Sequence, residues 1–180
     1  MTLRILAVSG SLQAHSSNAA LLRALATALG PDTETTFTRA LHELPPFNLD
    51  LDGDTPPLAV ADWRRELIAA DGVLVATPEY AFGLAGSLKN ALDWVVSSGE
   101  FVNKPVALLS ASTLETAAGF AMDALERTIR VMSADVVGAI RVPFVRSKLT
   151  PDGDIVDADL RQELDALARQ FRERIEPRRS

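Results

Sequence analysis

No cysteine occurs anywhere in the 180 residues. That excludes a disulfide framework, a thiolate nucleophile and any zinc site built on sulfur. The two histidines, His15 and His42, are too few for a His-rich metal centre. Long hydrophobic runs are also missing: the apolar stretch from Leu3 to Val8 breaks at Ser9-Gly10, too short to span a bilayer and without a signal-peptide cleavage pattern. A cytoplasmic location is expected. Basic residues are in deficit, with 18 Lys and Arg against 24 Asp and Glu and a net charge of -6. That is the wrong sign for a partner made of nucleic acid or an anionic membrane surface. Chemistry in such a chain is expected to come from a cofactor, with no catalytic side chain and no metal of its own.

What is present is the material of a packed core, 47% hydrophobic and 23% charged, in the size range of one globular domain spanning 1–180. Short apolar runs alternate with segments of helical period, the pattern of βαβ units around a parallel sheet. The strands are expected at Leu3–Val8, Thr35–Thr38, Val73–Ala76, Val106–Leu109 and Val136–Val142. Helices are expected at about Ser17–Leu29, Leu58–Ala70, Ser87–Ser97, Ala117–Met132 and Ala158–Ile175, followed by a frayed tail over 176–180. Ser17 or Asn18 can cap the first helix, Gly30-Pro31 stops it, and Asp71-Gly72 closes the second. Runs such as Val73-Leu74-Val75-Ala76 are apolar on consecutive positions and imply burial on both faces. The fold class is α/β, a three-layer α/β/α sandwich on a five-stranded parallel sheet of order 2-1-3-4-5.

One long segment, Leu44 to Pro57, resists assignment: it holds four prolines together with Asp50, Asp52 and Asp54, and suggests a functional or partner-contacting loop. The three aspartates resemble the opening of a calcium loop. The pattern fails, however, because Gly53 precedes Asp54 and Ala61 stands where the closing Glu belongs.

In a sheet of this order ligands bind where strand order reverses, outside the carboxyl ends of strands 1 and 3. The loop after the first strand, Ser9 to Asn18, is hydroxyl-rich, holds Gly10 alone among glycines and no acid, and feeds straight into a helix. It suits a phosphate, since backbone amides and the helix dipole face an anion there. The same residues serve equally well as plain turn and N-cap chemistry. With a single glycine the loop fits neither a Walker A loop nor a dinucleotide fingerprint, and a serine-hydrolase elbow is absent. After the third strand, Pro78, Gly83 and Gly86 make a close-approach backbone, and Tyr80 and Phe82 offer flat apolar surface on which a planar heterocycle can lie. Trp94 reads as core, flanked by Leu88, Leu92, Val95 and Val96 at helical spacing.

Together these loops resemble the NADPH-dependent FMN reductase family, flavodoxin-like NAD(P)H:quinone, azo-dye and chromate reductases. The family motif GSLRxxSxNxxL is matched by Gly10, Ser11, Leu12, Ser16, Asn18 and Leu21. The more specific TPEYNxGxPGxLKNAxDW is matched by Thr77, Pro78, Glu79, Tyr80, Gly83, Gly86, Leu88, Lys89, Asn90, Ala91, Asp93 and Trp94. A looser third match is Lys104-Pro105 followed by Ser110-Ala111-Ser112. The resemblance implies a flavodoxin-like fold with non-covalent FMN and with NADPH or NADH as co-substrate. It places Ser11, Ser16, Ser17 and Asn18 at the FMN phosphate, with Gln13 and His15 in the same loop. Pro78, Glu79, Tyr80, the Ala81 amide and Gly83 border the isoalloxazine, and Ser110 to Ser112 lie at its pyrimidine edge. Hydride would pass from nicotinamide through FMN to a quinone-like or other small planar acceptor, with ping-pong kinetics. A homodimer or homotetramer is implied as well.

The departures from the motif are specific. Gln13 replaces the family's Arg and removes a charge-assisted phosphate contact worth about 1.5–3 kcal/mol. FMN affinity is then expected to be about ten- to a hundredfold weaker, with a protonated His15 offsetting part of the loss at mildly acid pH. Ala81 replaces an Asn, Ala85 a Pro, and Thr113-Leu114-Glu115 stand where glycines are usual. These changes motivate the alternative of a flavin-binding or flavin-free interaction protein of the same fold without reductase activity.

Overall fold

A computed structural model describes residues 2–13, 15–38, 40–116 and 118–176. The elements run β1 (Leu3–Ser9), α1 (Ser17–Ala28), β2 (Thr33–Phe37), α2 (Leu58–Ala69), β3 (Gly72–Thr77), β4 (Glu79–Tyr80), β5 (Gly83–Leu84), α3 (Gly86–Asp93), β6 (Pro105–Ala111), α4 (Gly119–Val131), β7 (Asp135–Val142) and α5 (Ala158–Ile175). The main sheet has the order β2-β1-β3-β6-β7 and is parallel throughout. Counting only its own five strands, this is the expected 2-1-3-4-5 arrangement.

Side-chain alternation along β1 and β3 divides the core into two layers. Leu6, Val8, Val73 and Val75 face Trp63, Leu67, Leu88 and Met122 of α2, α3 and α4. Ile5, Ala7, Leu74 and Ala76 face Leu21, Leu22 and Leu25 of α1 and Phe171 of α5. Central strands β3 and β6 are buried at every residue, which is why they read as unbroken apolar runs. Edge strand β2 is half exposed, and its Thr-rich sequence hid its start; it spans 33–37 rather than 35–38.

The helices differ from expectation mainly at their ends. α1 begins at Ser17 with Ser16 in the capping position, so neither Ser17 nor Asn18 is its cap. α3 stops at Asp93, four residues short of Ser97, where the Val95 and Val96 amides tighten onto the Leu92 and Asp93 carbonyls in three-residue turns; the Trp94 indole at its end is fully buried and its Nε1 donates to the Pro45 carbonyl at 2.9 Å. α4 starts at Gly119; the expected start, Ala117, lies outside the described residues, as do 177–180 of the tail. α5 matches 158–175, capped by Asp157, whose carboxylate accepts from the Leu160 amide at 2.8 Å. That hydrogen bond, aided by Lys148, holds the Asp157 carboxyl below the usual carboxylate range.

The 44–57 segment is pinned to the helices behind it. Asn90 accepts from the Phe47 amide at 2.7 Å and donates to the Pro45 carbonyl at 2.9 Å, and the Phe47 ring packs edge-on against Trp94. Asp52 pairs with the half-buried Arg64 and accepts from Ser97 Oγ at 2.6 Å. Asn90 and Trp94 thus anchor this loop. Lys104 likewise acts within the scaffold, donating to the Leu67 and Ala70 carbonyls at the end of α2, and burial lowers its pKa against the opposing pull of Asp71. Among the described residues no helix is long and apolar enough to cross a membrane.

Candidate functional site

A parallel sheet brings the carboxyl ends of all its strands to one edge, and the neighbours β1 and β3 send their following helices to opposite faces. The loops after β1, β3 and β6 therefore meet. Hydrogen bonds fix their positions: the Gly10 amide donates to the Ala76 carbonyl at 2.7 Å, and Ser87 Oγ donates to the Gly10 carbonyl at 3.3 Å. A Cβ at Gly10 would stand 3.3 Å from that Ala76 oxygen and 3.2 Å from Leu88, so the close approach of β3 and α3 leaves a larger residue only a tight fit there.

The first loop folds on its own hydroxyls. Ser9 Oγ donates to the Ser11 carbonyl, and Ser11 Oγ accepts from the Gln13 amide at 3.4 Å. Gln13 and His15 are exposed, while Ser11 and Ser16 are buried. Ser16 occupies the N-cap of α1 without making a side-chain cap bond, and the first turn carries no acidic residue. The opening amides of α1 have no intrahelical partner, as at any helix start. This set of donors, uncharged and uncompensated, fits the phosphate of FMN. Asn18 does something the sequence did not announce. It is 4% exposed, and its Oδ1 accepts from the Ala111 amide at 3.0 Å, joining the start of α1 to the end of β6.

The second loop is a hairpin. β4 and β5 pair antiparallel, Glu79 opposite Leu84 and Tyr80 opposite Gly83, and the two residues between them, Ala81 and Phe82, both have positive φ, 49° and 61°. A two-residue hairpin of this kind favours Asn-Gly at those positions, because a Cβ crowds the left-handed conformation. The family's Asn at position 81 therefore has a backbone reason, and Ala81→Asn is expected to stabilise the protein by about 0.5–1 kcal/mol. A urea unfolding series measures this; an unshifted midpoint would refute it. The hairpin presents Tyr80, 50% exposed, and Phe82, 74% exposed, the latter edge-on to Phe120 at 5.4 Å. A flat, partly apolar wall of this kind suits an aromatic heterocycle.

Glu79 turns away from this wall toward α4, where its Oε2 accepts from the Ala121 amide at 3.0 Å. In the third loop, Ser110 is wholly buried within β6. Ser112 donates its amide to the Val142 carbonyl, accepts from the Leu114 amide on Oγ at 3.0 Å, and accepts from the Val145 amide on its carbonyl. The structure thus brings Ser11, Gln13, His15, Ser16, Ser17 and Asn18, together with Pro78 to Gly83 and Ser112, to one edge, with Ser110 beneath them. Sequence reasoning missed Phe120, which sits on an amphipathic helix away from any motif. It also missed Arg146, which shares a cavity with His15, Ser16 and Ser17. The available signal was its place just past the last strand.

Known proteins resemble this chain along most of its length. A family model described as NADPH-dependent FMN reductase matches residues 3–147. An NAD(P)H-dependent FMN reductase from Pseudomonas aeruginosa is 39% identical over 112 residues, covering 61% of this chain and 60% of that relative. A 2-hydroxy-1,4-benzoquinone reductase from a Burkholderia species is 30% identical over 184 residues, covering 99% of this chain and all of the relative. The flavoenzyme NAD(P)H:(acceptor) oxidoreductase of Paracoccus denitrificans shares the fold, with a TM-score of 0.82 at 24% identity over 98% of both chains.

Proposed function

Because the chain belongs to the NADPH-dependent FMN reductase family, we propose that it is an FMN-dependent NAD(P)H oxidoreductase delivering electrons to a quinone-type acceptor. The observation that carries the reading is the junction of an acid-free, uncapped helix start with an aromatic hairpin at the switch point of the sheet. FMN, when bound, supplies hydride chemistry that no side chain here can perform. The protein's part is to bind, orient and exclude water. Ser11, Gln13, His15, Ser16, Ser17 and Asn18 form the phosphate end. Pro78, Tyr80, Ala81 and Gly83 form the ring wall together with the backbone of Glu79, whose side chain ties it to α4, with Ser110 and Ser112 behind the far edge. Tyr80 and Phe82 offer exposed aromatic surface on which a flat nicotinamide or quinone can stack. The chain acts as one domain in the cytoplasm, as a homodimer or homotetramer, and the exposed Phe82, Leu114 and Phe120 support burial of this edge against a second subunit.

The test is an anaerobic titration. Protein incubated with excess FMN and desalted is expected to retain the visible flavin band and to lose it on addition of NADPH or NADH, with recovery on adding a benzoquinone. Retention without bleaching would favour a flavin carrier, and no retention would sink the reading.

A further inference from the structure

Position 13 carries no charge, yet a phosphate monoester dianion at the start of α1 calls for a cation. A cavity of about 330 Å³ opens beside that helix start, with His15, Ser16 and Ser17 on one wall and the segment after β7 on the other. Arg146 and Arg23 contribute its guanidinium groups and Asp152 a carboxylate, so cationic side chains predominate.

Two observations point to a ligand. Ser16 is 5% exposed, lines the cavity, and its hydroxyl has no partner among the described residues. Facing an open cavity, this hydroxyl is free to donate to an anion. Arg146, like Arg23 on the same cavity and Arg127 on α4, forms no side-chain hydrogen bond or ion pair among the described residues, whereas Arg64, Arg130, Arg141, Arg172 and Arg174 do. Its backbone is nonetheless held firmly: the adjacent Val145 is buried and donates its amide to the Ser112 carbonyl at 2.9 Å, and the Ser147 amide closes a turn on Phe144. Arg146 is thus an exposed cation carried on a fixed turn beside the cavity.

We infer that Arg146 supplies the phosphate-binding charge that position 13 lacks, so that the cavity between the start of α1 and Arg146 takes the 5′-phosphate of FMN. The inference rests on the FMN reading and deepens it. A planar guanidinium matches a phosphate bidentately, and the α1 dipole and the Ser16 and Ser17 hydroxyls act on the same group. The relocated cation offsets the loss expected from Gln13.

The test compares FMN with riboflavin, which lacks the phosphate, by quenching of flavin fluorescence. Arg146→Gln is expected to weaken FMN about ten- to a hundredfold while leaving riboflavin unchanged, and Arg146→Lys to fall between. Arg127→Gln, which removes the same charge from the exposed face of α4, leaves both ligands unchanged. Melting temperatures are expected to match the wild type, since the Arg146 side chain has no partner to lose. Equal weakening by Arg146→Gln and Arg127→Gln, or none by either, overturns the inference while the FMN reading stands. So does a wild type that binds FMN no more tightly than riboflavin. A wild type that binds no FMN overturns both. The other phosphate monoester at hand, the 2′-phosphate of NADPH, is distinguished by competition: a selective loss of NADPH over NADH binding in Arg146→Gln, with FMN unaffected, also overturns it.

Discussion

Asn18→Ala is expected to lower the free energy of unfolding by about 2–3 kcal/mol and, in the same protein, to weaken FMN more than riboflavin. The stability loss follows from burial. The Asn18 side chain is the acceptor for the Ala111 amide at the end of β6, and with the side chain gone that amide is left without a partner in a site closed to water. The binding loss follows from position: the same bond fixes the first turn of α1 against the sheet, and a phosphate held by helix amides depends on where that turn stands. Asn18→Asp separates the two effects. A carboxylate accepts from the Ala111 amide as the amide oxygen does, and it lies in the first turn of α1, where the dipole favours an anion. Most of the stability is expected to return, while FMN affinity falls further through like-charge repulsion and riboflavin affinity recovers. Chemical denaturation and fluorescence quenching on the two variants make the check. An Asn18→Ala protein as stable as wild type would show that the 3.0 Å contact contributes nothing.

The sheet and its order were legible because β3, β6 and residues 5–8 of β1 are buried on both faces, and that burial writes itself into the chain as runs of Val, Leu, Ile and Ala. β2 was legible only in outline, since an edge strand with Thr33, Thr35 and Thr36 carries no such run. The β4-β5 hairpin was hidden because its strands are two residues each and its turn uses Ala81-Phe82 where Asn-Gly would have signalled it. Local motif and tertiary role also diverged. Asn90, Trp94 and Lys104 stand in the motifs that suggested a flavin site, yet their side chains hold the 44–57 segment and the end of α2. A motif read from sequence mixes residues that touch the ligand with residues that hold the loops, and only long-range bonds such as Asn18 to Ala111 tell them apart. Arg146 is the converse case, a candidate contact outside every motif, because the turn that carries it is set by Ser112, 34 residues earlier.

Glu79 carries the second large expectation, and it concerns the opposite end of the site. α4 starts badly on its own: its N-cap is Ala118, in the left-handed conformation at φ 57°, with no side chain able to cap. Glu79 reaches across from β4 and accepts from the Ala121 amide in the first turn, placing a carboxylate at the positive end of the helix dipole. Glu79→Ala is therefore expected to cost about 1.5–3 kcal/mol, the range for a hydrogen bond to a charged group. Glu79→Gln keeps an acceptor and loses only the charge, so about half of that loss should be recovered. The consequence for binding differs in kind from that at Asn18 or Arg146. Glu79 ties the hairpin, and with it Tyr80 and Phe82, to the helix that carries Phe120. Releasing the tie loosens the wall assigned to the isoalloxazine and leaves the phosphate end untouched. Glu79→Ala should weaken FMN and riboflavin by the same factor, whereas lesions at Asn18 and Arg146 spare riboflavin relative to FMN. The ratio of the two affinities, measured across the three variants, assigns each residue to one end of the site. A Glu79→Ala protein that lost FMN selectively would place Glu79 at the phosphate end and refute the division.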